Sequence, residues 1–174
     1  MVYLVKYATI DKNDMVNGIG VSVSLFMQGC PHHCPGCFNP ESWDFNGGYL
    51  HSLLVWDIID AIKANGIERN FSILGGEPLC EENLGNVQHI IYAVRSFYPN
   101  IKICLWTGYT LEELQQNNNE DLKYILSEVN YLIDGKYLQE QRDVSLWLRG
   151  SRNQNIYKLT EDKKYVKINN IKEI

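Results

Sequence analysis

Val21-Ser22-Val23-Ser24-Leu25-Phe26-Met27 runs directly into Gln28-Gly29-Cys30-Pro31-His32-His33-Cys34-Pro35-Gly36-Cys37-Phe38. The first seven residues, β-branched at Val21 and Val23 and apolar apart from Ser22 and Ser24, predict a strand. The loop that follows carries three cysteines in the spacing C-x3-C-x2-C, with no fourth cysteine nearby. Three thiolates can hold three corners of a cubane iron–sulfur cluster, leaving the fourth iron without a cysteine ligand. An open corner is a place for chemistry, so the loop points to an enzyme more than to a structural staple. The competing reading is a structural zinc site built from Cys30, Cys34, Cys37 and either His32 or His33. Zinc sites usually pair a C-x2-C with a second, distant ligand pair. Here the histidines lie between the first two cysteines, which favours a cluster and leaves zinc open.

Working outward, apolar strand segments alternate with helical stripes. Phe71 to Leu74 predicts a short buried strand ending at Gly75-Gly76. Ile101 to Trp106 predicts another, ending at Thr107-Gly108, and Tyr131 to Ile133 a fourth, ending at Asp134-Gly135. Between them, Leu54, Val55, Ile58, Ile59 and Ile62 form a helical stripe that Asn65-Gly66 stops. Val87, Ile90, Ile91 and Val94 form the next, stopped by Pro99. Thr110 with Glu113 is a capping-box pattern opening a short helix, and Leu122, Ile125, Leu126 and Val129 form the last stripe. Alternation of this kind predicts βαβ units and a largely parallel sheet. A closed eight-fold barrel needs roughly 200 residues or more. The chain has 174, so an α/β fold with an incomplete barrel or an open sheet is expected. One domain over residues 1–174 is expected, with a core of about 1–159 and a C-terminal extension over 160–174 that reads as a solvated hairpin or strand. The long segment between Gln28 and Ser52 reads as a loop. Its aromatics and cysteines mark it as functional, not disordered.

Hydrophobic residues make up 45% of the chain and charged residues 21%, a balance suited to a globular core. The net charge of −5 argues against nucleic acid as a main partner. No apolar run approaches a membrane span, and the N-terminal residues lack the apolar stretch of a signal peptide, so a cytoplasmic protein without membrane partners is expected. Five cysteines, three of them crowded in one loop, suit a metal or redox site better than a disulfide framework. Cys80 and Cys104 read as packed thiols.

The Gly-rich and polar segments fall at strand ends. The cysteine loop follows the first predicted strand, Gly75-Gly76-Glu77-Pro78 the second, Thr107-Gly108-Tyr109 the third and Asp134-Gly135-Lys136 the fourth. In parallel α/β architectures these ends share one side, where ligands bind. Two glycines allow close backbone approach to a ligand, and Glu77 offers an acceptor suited to an ammonium group. A tight turn after a strand is the plainer reading of the same residues.

Cys30-x3-Cys34-x2-Cys37 followed by Gly75-Gly76-Glu77-Pro78 resembles the radical S-adenosylmethionine (SAM) superfamily. Within it the chain is similar to the activases of anaerobic ribonucleoside-triphosphate reductase. That similarity rests on Asn17-Gly18-Ile19-Gly20, Phe26 to Cys30, Gly36-Cys37-Phe38-Asn39-Pro40, Leu105 to Tyr109, Asp134-Gly135-Lys136 and Arg149-Gly150-Ser151-Arg152-Asn153-Gln154. The resemblance implies an incomplete barrel of the radical SAM type. It implies a [4Fe–4S] cluster on Cys30, Cys34 and Cys37, with SAM chelating the open iron. Gly75, Gly76 and Glu77 would hold the SAM ammonium through backbone and carboxylate, and Gly36, Cys37 and Phe38 would line its adenosine side. Reductive cleavage of SAM would give a 5′-deoxyadenosyl radical, which takes a hydrogen from a glycine of the reductase large subunit. Reduced flavodoxin is the implied electron donor.

Two positions depart from the pattern. Many superfamily members carry an aromatic residue before the third cysteine, where this chain has Gly36 and places the aromatic after it, as Phe38. Arg152 stands where the activases commonly have a small hydroxyl residue. His32 and His33 are placed to tune the cluster or to face the partner. Arg142, Arg149 and Arg152 read as a solvated basic stretch or a docking surface. The alternatives are an activase of another glycyl-radical enzyme of the pyruvate formate-lyase type, a small-molecule radical SAM enzyme, a zinc-stabilised binding module, or a simple electron carrier.

Overall fold

Strand periodicity sorts the chain's apolar residues into two faces, and the fold follows from that sorting. The computed structural model describes residues 4–173. Among them, strands β1 (Val5–Asp14), β2 (Ser22–Met27), β3 (Tyr49–His51), β4 (Asn70–Gly75), β5 (Ile103–Trp106), β6 (Tyr131–Asp134), β7 (Asn155–Leu159) and β8 (Tyr165–Ile168) form one sheet. Its order is β3-β1-β2-β4-β5-β6-β7-β8. Helices α1 (Leu54–Ile62), α2 (Glu81–Phe97), α3 (Leu111–Gln116) and α4 (Glu120–Glu128) lie between strands β3 and β6 in sequence. Among the described residues, no helix is long and apolar enough to cross a membrane.

The four central strands, β2, β4, β5 and β6, are mutually parallel, with Phe26 opposite Leu74, Ile73 opposite Leu105 and Leu105 opposite Leu132. The flanks are antiparallel: β1 pairs with β2 and β3, and β7 with β6 and β8. The expectation of a largely parallel sheet is therefore corrected: the architecture is a mixed α/β sheet with four antiparallel junctions and three parallel ones. The apolar runs of the parallel strands are the ones that sequence periodicity detects. The flanking strands bury fewer residues among polar neighbours, as an edge requires, so β1 and β7 do not stand out as apolar segments. β3 falls inside the segment that reads as one long loop.

On one sheet face Val23, Leu25, Phe71, Ile73, Ile103, Leu105 and Leu132 pack against all four helices. Full burial of each such side chain contributes about 1.5–3 kcal/mol, so this layer holds the sheet rigid. The alternate residues face the other way. Near the strand starts these are small, Ser22, Ser24, Ser72 and Cys104; near the C-terminal ends they are large, Phe26, Leu74 and Trp106. The helix-free face is covered by loops: Ile19, Trp147 and Leu148 pack there with Cys104, Ile133 and Ile156. The capping box at α3 forms as expected, with Thr110 and Glu113 satisfying each other's backbone N–H groups.

At the opposite end of the sheet, Arg69 is buried at the start of β4. It donates to the carbonyls of Ala61 (3.2 Å), Ala64 (2.9 Å) and Ile67 (3.0 Å), and to Asn13 Oδ1. These carbonyls lie around the C-terminus of α1, where a cation is favoured by the helix dipole; those of Ala61 and Ala64 also accept the N–H groups of Lys63 and Ile67. Replacing Arg69 with Met removes all of these guanidinium hydrogen bonds at once. We expect a loss of about 2–4 kcal/mol in urea unfolding of the metal-free protein, with the iron-binding capacity of the folded fraction unchanged.

Candidate active site

The C-terminal ends of the parallel strands open into a cavity of about 740 Å³ on the helix-free face. Phe26, Leu74 and Trp106, from three neighbouring strands, line it, as do Cys30, Cys34 and Cys37. A cavity of this size is ordinary for a small-molecule or cofactor site.

The cysteine loop is held by its own root. Gln28 is buried, and its Nε2 donates to the carbonyls of Glu41 (3.2 Å) and Asp44 (2.7 Å). The N–H of Gly29 donates to Ser42 O (2.8 Å) and that of Cys30 to Trp43 O (3.1 Å), closing residues 29–43 into a loop. His33 stacks on Trp43, rings 4.8 Å apart and within 9° of parallel. The Cys37 N–H donates to Cys34 O (3.0 Å) in a turn that passes through Gly36 at φ +71°. This left-handed φ, which residues with a side chain rarely adopt, accounts for glycine at position 36; a Cβ there would also displace the exposed Gln139 side chain. Gly36 does not line the cavity, whereas Cys37 and Phe38 do. The Phe38 ring is half-exposed, with Tyr137 5.0 Å away and the Arg142 guanidinium 5.7 Å from its centroid.

All five cysteines are free. Burial pushes the Cys30 thiol above its ordinary range, opposed by the His32 N–H and reinforced by Glu77. Burial also raises the Cys34 thiol, partly offset by the Tyr137 N–H. Metal binding to these groups therefore displaces protons. Cys80 and Cys104 stand apart from the cavity, and burial pushes both up to about 12. They are packed thiols, as their sequence context implies. Among the described residues, no three His, Cys, Asp or Glu side chains are gathered closely enough to enclose a single metal ion.

The Gly75-Gly76 turn is shaped by a neighbouring chain segment. Gly75 has φ +99°, and a Cβ there would sit 2.7 Å from Phe26 Cα and 2.8 Å from Met27 N. A Cβ on Gly76 would fall on the Gly29 carbonyl. Freed of side chains, the turn lies against the root of the cysteine loop, with Gly76 N–H donating to Met27 O (2.9 Å) and Glu77 N–H to Gly29 O (2.8 Å). Both glycines also line the cavity.

Glu77 is 1% exposed, and four donors occupy its carboxylate. Oε1 accepts from the Leu79 N–H (2.9 Å) and the Thr107 hydroxyl (2.8 Å). Oε2 accepts from the Gly108 N–H (2.7 Å) and lies 2.8 Å from His32 Nε2. The exit of β4, the exit of β5 and the cysteine loop thus meet at one side chain. The His32 ring also sits edge-on to Tyr109, centroids 4.6 Å apart. Asn83 on α2 supports the same point, its Nδ2 donating to Gln28 O (3.0 Å) and Glu77 O (2.9 Å). Neither this role of His32 nor that of Asn83 is encoded in local spacing. The polar character of His32 beside the cysteines is the one available signal.

Residues 149–154 form a polar clamp on the exit of β6. Gln154 Oε1 accepts from the N–H groups of Gly150 (2.8 Å) and Ser151 (3.2 Å), and its Nε2 donates to Gly135 O (2.9 Å). Asn153 donates to Lys136 O (2.8 Å). Arg152 points outward, 3.7 Å from Asp143, so its departure from the common small residue leaves the cavity untouched. Asn17 reaches the cavity from the other side, its turn held by Asp14, which accepts from the Val16 and Asn17 N–H groups (2.7 and 3.0 Å) and from Asn17 Nδ2 (2.8 Å).

A cavity at parallel strand ends with three thiols from one loop defines an iron–sulfur class of protein, and residues 16–157 match the 4Fe-4S single cluster domain family. Among its relatives, the chain is 40% identical over 149 residues to the anaerobic ribonucleoside-triphosphate reductase-activating protein of Vibrio cholerae, covering 84% of this chain and 94% of that protein. It is 39% identical over 160 residues to the protein of that name from Haemophilus influenzae (91% and 98%) and 34% identical over 155 residues to that of phage T4 (89% and 95%). The chain belongs to the family of anaerobic ribonucleoside-triphosphate reductase-activating proteins.

Removing the Glu77 side chain leaves four buried donors without their acceptor, three of them fixed by the fold. Glu77→Ala is expected to cost about 3 kcal/mol or more in the metal-free protein and to lower iron incorporation after anaerobic reconstitution. His32→Ala, which leaves three donors on Glu77, is expected to cost about 1 kcal/mol. Equal and small losses in urea unfolding would show that the carboxylate does not hold the three loops together.

Proposed function

We propose that the protein is a radical SAM activase that generates a glycyl radical on the large subunit of anaerobic ribonucleoside-triphosphate reductase. One observation carries this reading: three free thiols from a single loop line a cavity whose wall includes the Gly75-Gly76 turn. Cys30, Cys34 and Cys37 are the ligands of a [4Fe–4S] cluster, a donor set of soft thiolates that suits iron–sulfur chemistry.

SAM occupies the rest of the cavity. The main-chain carbonyls of the Gly75-Gly76 turn accept its ammonium group. Glu77, with its carboxylate already occupied by the chain's own donors, serves by fixing that turn to the cysteine loop. Phe38 and Cys37 flank the adenosine side, and Gly36 supplies the turn that presents them. When bound, the cluster and SAM would supply one-electron reductive cleavage of SAM to methionine and a 5′-deoxyadenosyl radical, the species that would take a hydrogen atom from a glycine of the partner. The protein's part is to position, to exclude water and to leave one side open.

The parallel block β2-β4-β5-β6 corresponds to the wall of an incomplete barrel of the radical SAM type. Residues 1–174 act as one domain, supported by β8 extending the same sheet from beyond residue 159. The open side of the block, where Val16 and Val144 stand exposed at the cavity rim, is where the large subunit enters. Reduced flavodoxin or a similar carrier supplies the electron.

The test mixes the anaerobically reconstituted protein with the large subunit, SAM and a reductant. Electron paramagnetic resonance is expected to show a glycyl radical with the wild-type protein and none with Cys34→Ala. A radical on another glycyl-radical enzyme, and none on the reductase, would transfer the assignment to that enzyme.

A further inference from the structure

Arg149 is the one arginine or lysine among the described residues lining the cavity. Its Nε is buried and has no hydrogen-bond partner. Its Nη1 makes a single long contact with Gln154 O, at 3.4 Å, and none of the described ion pairs includes it. That Nε–H forfeits hydration without a compensating acceptor, which disfavours the empty site. The neighbouring residues make the placement deliberate. Gly150, the next residue, packs against the Phe38 ring: a Cβ there would sit 2.9 Å from it. The Gln154 side chain, through Gly150, Ser151 and Gly135, fixes the backbone on both sides of that contact. On the other side of Arg149, Leu148 holds a left-handed φ of +57°, with its carbonyl accepting from Trp106 Nε1 (2.8 Å). A branched residue in that region is strained and persists where the surroundings require it.

We infer that Arg149 binds the carboxylate of the methionine moiety of SAM. An inference of this kind rests on the reading above that SAM fills the cavity. Nε and an Nη can together present two parallel N–H groups to one carboxylate, the geometry in which arginine is strongest and lysine cannot substitute. Arg149 supplies the cavity's one fixed positive charge among its lining arginines and lysines, facing a ligand whose carboxylate is its one anionic group. It is a binding residue that orients SAM against the thiol-lined wall. Its neighbour Arg152, turned outward, has no part in this.

The experiment uses full-length protein reconstituted anaerobically with iron and sulfide, and measures SAM affinity by equilibrium dialysis. Arg149→Met is expected to weaken SAM binding about 10- to 100-fold, the range of a charge-assisted bidentate pair; Arg149→Lys falls between. Decarboxylated SAM serves as the second probe, and for it wild type and Arg149→Met should differ by less than about threefold. Metal-free Arg149→Met should unfold at the same temperature as wild type or higher, because an unpaired buried group has been removed. SAM affinity within twofold of wild type in Arg149→Met overturns the proposal, as does an equal loss for SAM and its decarboxylated form. A large drop in the unfolding temperature also overturns it, since it assigns Arg149 a structural role. Absence of SAM binding by reconstituted wild-type protein overturns the underlying reading together with this one, and is distinguished by the wild-type control.

Discussion

The hydrogen bonds converging on the Glu77 carboxylate are the constraint on which the rest of the site depends. A buried carboxylate is stable only when its oxygens are saturated. Here the saturating donors come from Leu79, from Thr107 and Gly108, and from His32. Each belongs to a different approach to the cavity: the β4 exit, the β5 exit and the cysteine loop. Satisfying one side chain therefore fixes three loops at once. The thiol-bearing loop is thereby tied to the turn proposed to hold SAM, and neither can move without unpairing a buried group.

The division of labour across the sheet makes that arrangement possible. Four helices cover one face with a continuous apolar layer, leaving the other to loops and short turns among the described residues. On that free face, small residues near the strand starts give way to Phe26, Leu74 and Trp106 near the strand ends. Loops carrying Ile19, Trp147 and Leu148 fill the space over the small residues. The cavity lies between the large residues of the strand ends and one of those same loops, since Trp147 and Leu148 also line it.

Legibility from sequence followed the physics of each element. β2, β4, β5 and β6 are buried almost throughout, by apolar residues on one face and by small or apolar ones such as Ser24, Ser72 and Phe26 on the other, and their apolar runs mark them. β1, β7 and β8 carry polar residues such as Asp11, Asn155 and Lys167 on exposed or half-buried positions, so their antiparallel pairing is not visible locally. The cysteines and the Gly75-Gly76-Glu77 turn were visible as motifs. The reason for the glycines was only partly visible, since the close approach includes Phe26 and Gly29 of the chain itself as well as the cavity. Glu77 reads as a free acceptor in sequence because its four donors come from positions up to 45 residues away. Arg149 reads as part of a basic surface stretch because nothing in its spacing distinguishes an inward side chain from the outward Arg152.

The central claim is that three thiols leave one iron of the cluster open toward the Gly75-Gly76 turn. Mössbauer spectroscopy of protein reconstituted with ⁵⁷Fe, with and without SAM, tests it most directly. The account predicts that SAM shifts the signal of one iron in four and leaves the other three unchanged. Four irons that respond alike, or a spectrum that SAM does not alter, would contradict it.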